Sequence, residues 1–150
     1  MASQTYIIQL NDNPNLCVGV GEIANGAPLQ LKLLGGGMDN TIQWVFNDNG
    51  TICSAGNANL CIGPQGVEIT EGQAVLSGVV HGRGSQQWNW VGNPPYISNV
   101  QQSALVLDNG NGVVSAGNPV LVWNMHSGDN QQWTLLTVEE VQNRMVTAAV

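Results

Sequence analysis

Few side chains in this 150-residue sequence could do covalent or acid–base chemistry, and their spacing argues against most uses of them. Glycoside hydrolysis usually asks for two carboxylates across the scissile bond. The close acidic pairs are Glu68 with Glu71, flanking a turn-like segment, and Glu139 with Glu140, opening a helix-like one. His81 and His126 stand far apart, without His or Cys at metal-ligand spacing, so no metal site is expected. Cys17, Cys53 and Cys61 are an odd number, too few for a disulfide framework, and are expected as buried free thiols in a reducing compartment. The glycines of Leu34-Gly35-Gly36-Gly37-Met38 precede no Lys-Ser or Lys-Thr pair, which argues against a phosphate cradle. The expectation is a protein that is not an enzyme and uses no cofactor.

Composition narrows the remaining classes. Hydrophobic residues make up 43% of the chain, enough for one domain with a real core, while charged residues make up only 9%. The polarity comes instead from 18 Asn and 13 Gln. Three Lys or Arg against ten Asp or Glu give a net charge of -7, which repels phosphate backbones, so nucleic acid and anionic membranes are not expected partners. No run of eighteen apolar residues occurs, so no membrane insertion is expected. Met1 to Leu10 lacks a basic n-region, and the expected location is cytoplasmic or, failing that, outside after release without a classical signal peptide.

Internal repetition decides the architecture. Asn13-Pro14-Asn15-Leu16-Cys17-Val18-Gly19 returns 44 residues later as Asn57-Ala58-Asn59-Leu60-Cys61-Ile62-Gly63, with five of seven residues identical. Ile42-Gln43-Trp44, Gln86-Gln87-Trp88 and Gln131-Gln132-Trp133 keep the same beat. Two residues after each tryptophan stands Phe46, Trp90 or Leu135, the alternation of a strand, so Trp90 is expected in the core. Cys17 and Cys61 match Val106 in the third copy, which argues for packing rather than a nucleophile. Short apolar runs broken by Asn, Gly, Asp and Pro give four strands per copy, in the third Tyr96–Val100, Ala104–Asp108, Val120–Met125 and Gln131–Leu136. A propeller needs about four blades, or roughly 160 to 180 residues. Three copies fit an all-β fold of another kind, a three-fold barrel capped by hairpins: the β-trefoil. Its repeats are expected at about 5–47, 48–92 and 93–136 of a domain spanning 1–136, with a helical tail over 137–150.

Gln-x-Trp closing each of three repeats, with an aromatic residue ten positions before the last of them, resembles the ricin-B-type lectin family over residues of about 5 to 136. The first copy departs from the pattern, with Ile42 in place of the Gln. The resemblance implies a shallow pocket on each repeat, made by an Asp of the second strand, an aromatic residue of the third and an Asn just before Gln-x-Trp. In the third copy these are Asp108, Trp123 and Asn130. Counting from the tryptophans puts Gly19, Leu34 and Thr41 there in the first copy, and Gly63, Gly78 and Ser85 in the second, so only the third site is complete. The implied function is binding of glycans or glycoproteins with terminal galactose or N-acetylgalactosamine, without metal. The site residues are Asp108, Asn111, Trp123, Asn130 and Gln131, with Gln131 propping the loop and His126 at the rim. Asp108 could instead serve as a turn initiator in Asp-Asn-Gly-Asn-Gly.

Outside the repeats, Thr137-Val138-Glu139-Glu140 opens with a capping box and sets Val138, Val141 and Met145 at helical spacing. That stripe must pack on its own barrel or join two chains as a homodimer. A different class, a trefoil protease inhibitor or a non-sugar interaction scaffold, has no need of Asp108, Trp123 and Asn130 in register.

Overall fold

The computed structural model describes residues 4–11, 13–34, 39–78, 83–91, 95–126 and 128–149; His81 and the glycines of 35–37 lie outside them. Repeat one contains β1 (Gln4–Leu10), β2 (Leu16–Val20), β3 (Leu29–Leu33) and β4 (Trp44–Phe46). Repeat two contains β5 (Ile52–Ser54), β6 (Asn57–Gly63), the two-residue β7 (Gly72–Gln73), β8 (Val75–Gly78) and β9 (Trp88–Val91). Repeat three contains β10 (Tyr96–Asn99), β11 (Leu105–Asn109), β12 (Val120–Asn124) and β13 (Trp133–Thr137), and α1 (Val138–Ala149) follows.

The first and last strand of each repeat build a six-stranded barrel. Ladders join β1 to β4, β4 to β5, β9 to β10 and β13 to β1. At the other two seams Trp88 N–H donates to the Gly50 carbonyl (2.8 Å) and Trp133 N–H to that of Pro95 (3.1 Å). The first repeat pairs Trp44 with Tyr6 at the same place. The middle strands form hairpins, β2 with β3, β6 with β8 and β11 with β12, at the barrel end reached from Leu10, Ser54 and Asn99. This is the β-trefoil, with strand limits within two residues of those expected in the third copy.

The three-fold logic is visible at the core tryptophans. Trp44, Trp88 and Trp133 are buried, and each indole Nε1–H donates to a carbonyl 26 residues earlier: Val18 (2.9 Å), Ile62 (3.1 Å) and Leu107 (3.2 Å). A buried indole needs such a partner for its one polar atom. The bond also ties each hairpin to its own closing strand.

Two expectations fail here. Trp90 is not core but 40% exposed. In repeat one, Tyr6 covers Phe46, the counterpart of Trp90, with ring centroids 5.1 Å apart. The seam position that holds Tyr6 in repeat one holds Gly50 in repeat two, so nothing equivalent covers Trp90. Cys53 and Cys61 are not free thiols but a disulfide, because β5 and β6 pair with the two residues directly opposite each other. The cysteine argument for a reducing compartment therefore lapses. Cys17 is free and buried, as expected, and burial pushes its thiol up to about 12, which leaves it inert at neutral pH.

The tail forms the expected helix. Glu140 N–H donates to Thr137 Oγ1 (3.1 Å) and Thr137 N–H to Glu140 Oε1 (3.0 Å), a reciprocal capping box. Val141 is buried with Ile7, Cys17, Leu34, Ile42 and Leu136 of the same chain, so this part of the stripe packs on its own barrel. Ile42, standing where the other repeats have Gln, joins that apolar patch. The Met145 side chain lies outside the described residues.

Candidate functional site

β11 and β12 run antiparallel with Asp108 opposite Leu121 and Val106 opposite Trp123. Leu121 and Trp123, two apart on one strand, therefore share a face. Asp108, Asn111, Leu121, Trp123, His126 and Asn130 line one open pocket of about 160 Å³. Four of the five expected site residues thus meet, His126 joins them as the expected rim residue, and Leu121 is an addition. Its signal was available as the residue two before Trp123.

The carboxylate at the base of this pocket is fixed from several sides. Gln131 Nε2 donates to Asp108 Oδ2 (2.8 Å) and to the Asn124 carbonyl (2.8 Å). Asn130 Nδ2 donates to Asp108 Oδ1 (3.1 Å) and to the Asn109 carbonyl (3.1 Å). Turn duty falls to the neighbour rather than to Asp108: Asn109 Nδ2 donates to the Val113 carbonyl, and Asn109 Oδ1 accepts from Asn118. Asn111 sits at the tip of that turn with φ of 57°, a left-handed conformation that Asn tolerates better than most residues.

Gln131 stands apart from the pocket lining and props the loop, as its place in Gln-x-Trp suggested. It is fully buried and does not line the pocket, so it acts through Asp108 as a positioning residue. Its Oε1 also accepts the His126 N–H (2.8 Å), which holds the rim. His126 Nδ1 accepts from Gly128 N–H (3.1 Å), so a neutral ring carries its proton on Nε2, 3.7 Å from Asp108 Oδ2. Burial raises the Asp108 carboxyl above its ordinary value, against the opposing pull of the Gln131 hydrogen bond, His126 and Asn130. Trp123 is 43% exposed, with its ring available to a ligand.

Strand register revises which residues match Trp123 elsewhere. Cys17 opposes Lys32 and Cys61 opposes Ser77, as Val106 opposes Trp123, so the counterparts are Lys32 and Ser77, not Leu34 and Gly78. In repeat one Lys32 Nζ donates to the Val20 carbonyl (3.2 Å) and to Thr41 Oγ1 (2.8 Å), and a Cβ added at Gly19 would lie 2.8 Å from Lys32 Cδ. The space is plugged. In repeat two Gln86 Nε2 turns to Ser77 Oγ and the Gly78 carbonyl (both 2.9 Å), and its Cγ would stand 3.1 Å from a Cβ on Gly63. Neither position offers a carboxylate or a ring. The acidic pairs are engaged elsewhere: Glu68 accepts from Gln101 and Glu71 from Asn124. Among the described residues no three His, Cys, Asp or Glu side chains gather as metal ligands.

No family model and no curated protein matches this sequence. Solved structures match over nearly its whole length. A mosquitocidal holotoxin superposes with TM-score 0.80 at 16% identity over 92% of this chain, which spans only 18% of the toxin's length. The C-half of an earthworm R-type lectin, in complex with GalNAc, matches with TM-score 0.74 and 18% identity, covering 89% of this chain and 98% of that one. A designed three-fold symmetric protein, ThreeFoil, matches with TM-score 0.75 and 22% identity over 89% of this chain and 99% of its own. The chain has the β-trefoil architecture shared by R-type lectin structures, as the repeats implied. At these identities the likeness concerns the fold.

Proposed function

We propose that this chain is a lectin that binds a terminal galactose-type sugar in the third repeat, without metal and without catalysis. The observation that supports it best is an exposed indole, Trp123, standing beside a buried carboxylate, Asp108, whose two oxygens are oriented by Gln131 and Asn130. A pyranose with one face of C–H bonds stacks on the indole, worth on the order of 1 kcal/mol beyond area burial. Adjacent 3- and 4-hydroxyls then donate to Asp108, Asn130 offers its Oδ1 as an acceptor, and Asn111 supplies an amide at the rim. An axial 4-hydroxyl beside an equatorial 3-hydroxyl presents two donors to one carboxylate, which favours galactose or N-acetylgalactosamine over glucose. The GalNAc-bound earthworm lectin has the same fold and supports that choice of ligand class.

A glycan array tests the reading. Terminal galactose or GalNAc glycans should dominate, free galactose should compete, EDTA should change nothing, and nitrophenyl galactosides should not be cleaved. An array without galactose-type ligands, or a chelator-sensitive signal, would refute it.

Acidity separates ligand binding from folding at Asp108. The sugar hydroxyls need the carboxylate, so affinity should fall as pH drops through a pKa held above the ordinary carboxylate value. The fold responds with the opposite sign. A carboxyl with a raised folded pKa holds its proton more tightly when folded, so stability relative to Asp108→Asn should rise over the same acid window. Calorimetric affinity and urea midpoints between about pH 6 and about pH 4 read both. A site contribution to stability that falls with affinity would contradict the assignment.

A further inference from the structure

The exposed Trp90 belongs to a second cleft, at the barrel end away from the hairpins, of about 340 Å³. Tyr6, Phe46, Asp48, Gly50, Asn89 and Trp90 are among the residues that line it. It exists because of a break in the three-fold symmetry: Gly50 stands where Tyr6 stands in repeat one, and its φ of 91° is one that other residues rarely adopt. The Trp90 ring is held edge-on to buried Phe46, with centroids 4.7 Å apart, and Tyr6 also packs edge-on to Phe46. The indole is thus braced from behind while 40% of the residue faces solvent. Around it stand a carboxylate, Asp48, and the amide of Asn89, both on exposed residues.

We infer that this cleft is a second saccharide site, taking one pyranose ring of a neutral glycan on the indole of Trp90 with Asp48 and Asn89 as hydroxyl partners. The inference rests on the reading of the Asp108 pocket only for the kind of ligand. The chemistry of its lining argues the rest. Among the described residues no Lys or Arg borders the cleft and its carboxylate disfavours anions, which suits a neutral ligand whose hydroxyls donate to Asp48 and exchange hydrogen bonds with Asn89. The volume lies in the range of small-molecule sites. Of the five tryptophans, three are buried in the core and two are exposed, and each exposed ring stands beside one carboxylate and at least one Asn. Because Trp90 lies on a barrel strand and Trp123 on a hairpin, one chain would present two sites on different faces and could cross-link glycans without a partner subunit.

The test follows the indole N–H signals of the full chain by 1H–15N correlation spectra in the Asp108→Ala background, which silences the third-repeat pocket. Methyl galactoside, methyl glucoside, methyl mannoside and lactose are titrated to about 100 mM, a range that reads millimolar affinity. The Trp90 signal should move saturably with at least one of them, and Asp48→Ala should weaken that response at least tenfold. A melting curve of the Asp48→Ala chain, alongside that of the Asp108→Ala background, separates loss of sugar contact from loss of fold. An unmoved Trp90 signal with all four sugars overturns the inference, as does a signal that responds only to protein concentration, which would mean a second copy seated in the cleft. The Trp123 signal of the unmodified chain reports on the Asp108 pocket separately, so either site can fail alone.

Discussion

Replacing Asp108 by Ala should reduce galactose binding at the third-repeat pocket by about 100-fold or more, beyond detection for a site of roughly millimolar strength. Two hydroxyl donors lose a charged acceptor at once, and a hydrogen bond to a charged group is worth about 1.5 to 3 kcal/mol. The loop survives the change, because Gln131 keeps the Asn124 carbonyl and Asn130 keeps the Asn109 carbonyl. Trp123→Ala should cost about tenfold through the lost platform. Lys32→Ala and Ser77→Ala, at the matching positions of the other repeats, should leave affinity alone. Titration calorimetry with galactose and melting curves for each variant read the outcome. Unchanged binding in a folded Asp108→Ala protein would remove Asp108 from the site.

Stability should divide two tryptophans that stand two residues apart on one strand. Trp88→Ala empties a fully packed position and orphans the Ile62 carbonyl, and should cost about 3 to 5 kcal/mol. For a chain of this size that lowers the melting temperature by roughly 10 °C or more. Trp90→Ala removes a half-exposed ring with one aromatic contact, and should cost no more than about 1.5 kcal/mol. Urea denaturation of both variants measures the difference. Equal losses would mean that Trp90 is core after all and that its cleft is closed in solution.

The strand alternation around residues 88 to 90 is the same whether Trp90 is covered or not, and this marks where sequence reasoning stops. The three-fold beat of the tryptophans, the capping box at Thr137 and the alignment of Asp108, Trp123 and Asn130 were legible because each is a matter of spacing along one repeat. Architecture followed from them, since three equal apolar faces of this length have few ways to be buried together. The pocket residues of the third repeat were likewise found by position.

What the chain could not display alone was anything set by a neighbour distant in sequence. From the residue opposite Val106 or its counterparts to the closing tryptophan there are 12 residues in repeat one (32 to 44), 11 in repeat two (77 to 88) and 10 in repeat three (123 to 133). A count from the tryptophan therefore slips by two and by one, and misses that Lys32 and Ser77 stand where Trp123 does. The Cys53–Cys61 bond, the Gly50 gap that uncovers Trp90 and the Gln131 clamp on Asp108 have the same origin. Sequence alone determined the repeat, its three buried tryptophans and which third-copy residues gather around Trp123. Tertiary structure decided which side chains stand at the matching positions of the other two repeats and which tryptophan meets solvent, because cross-strand register depends on loop lengths and on partners that no local spacing records.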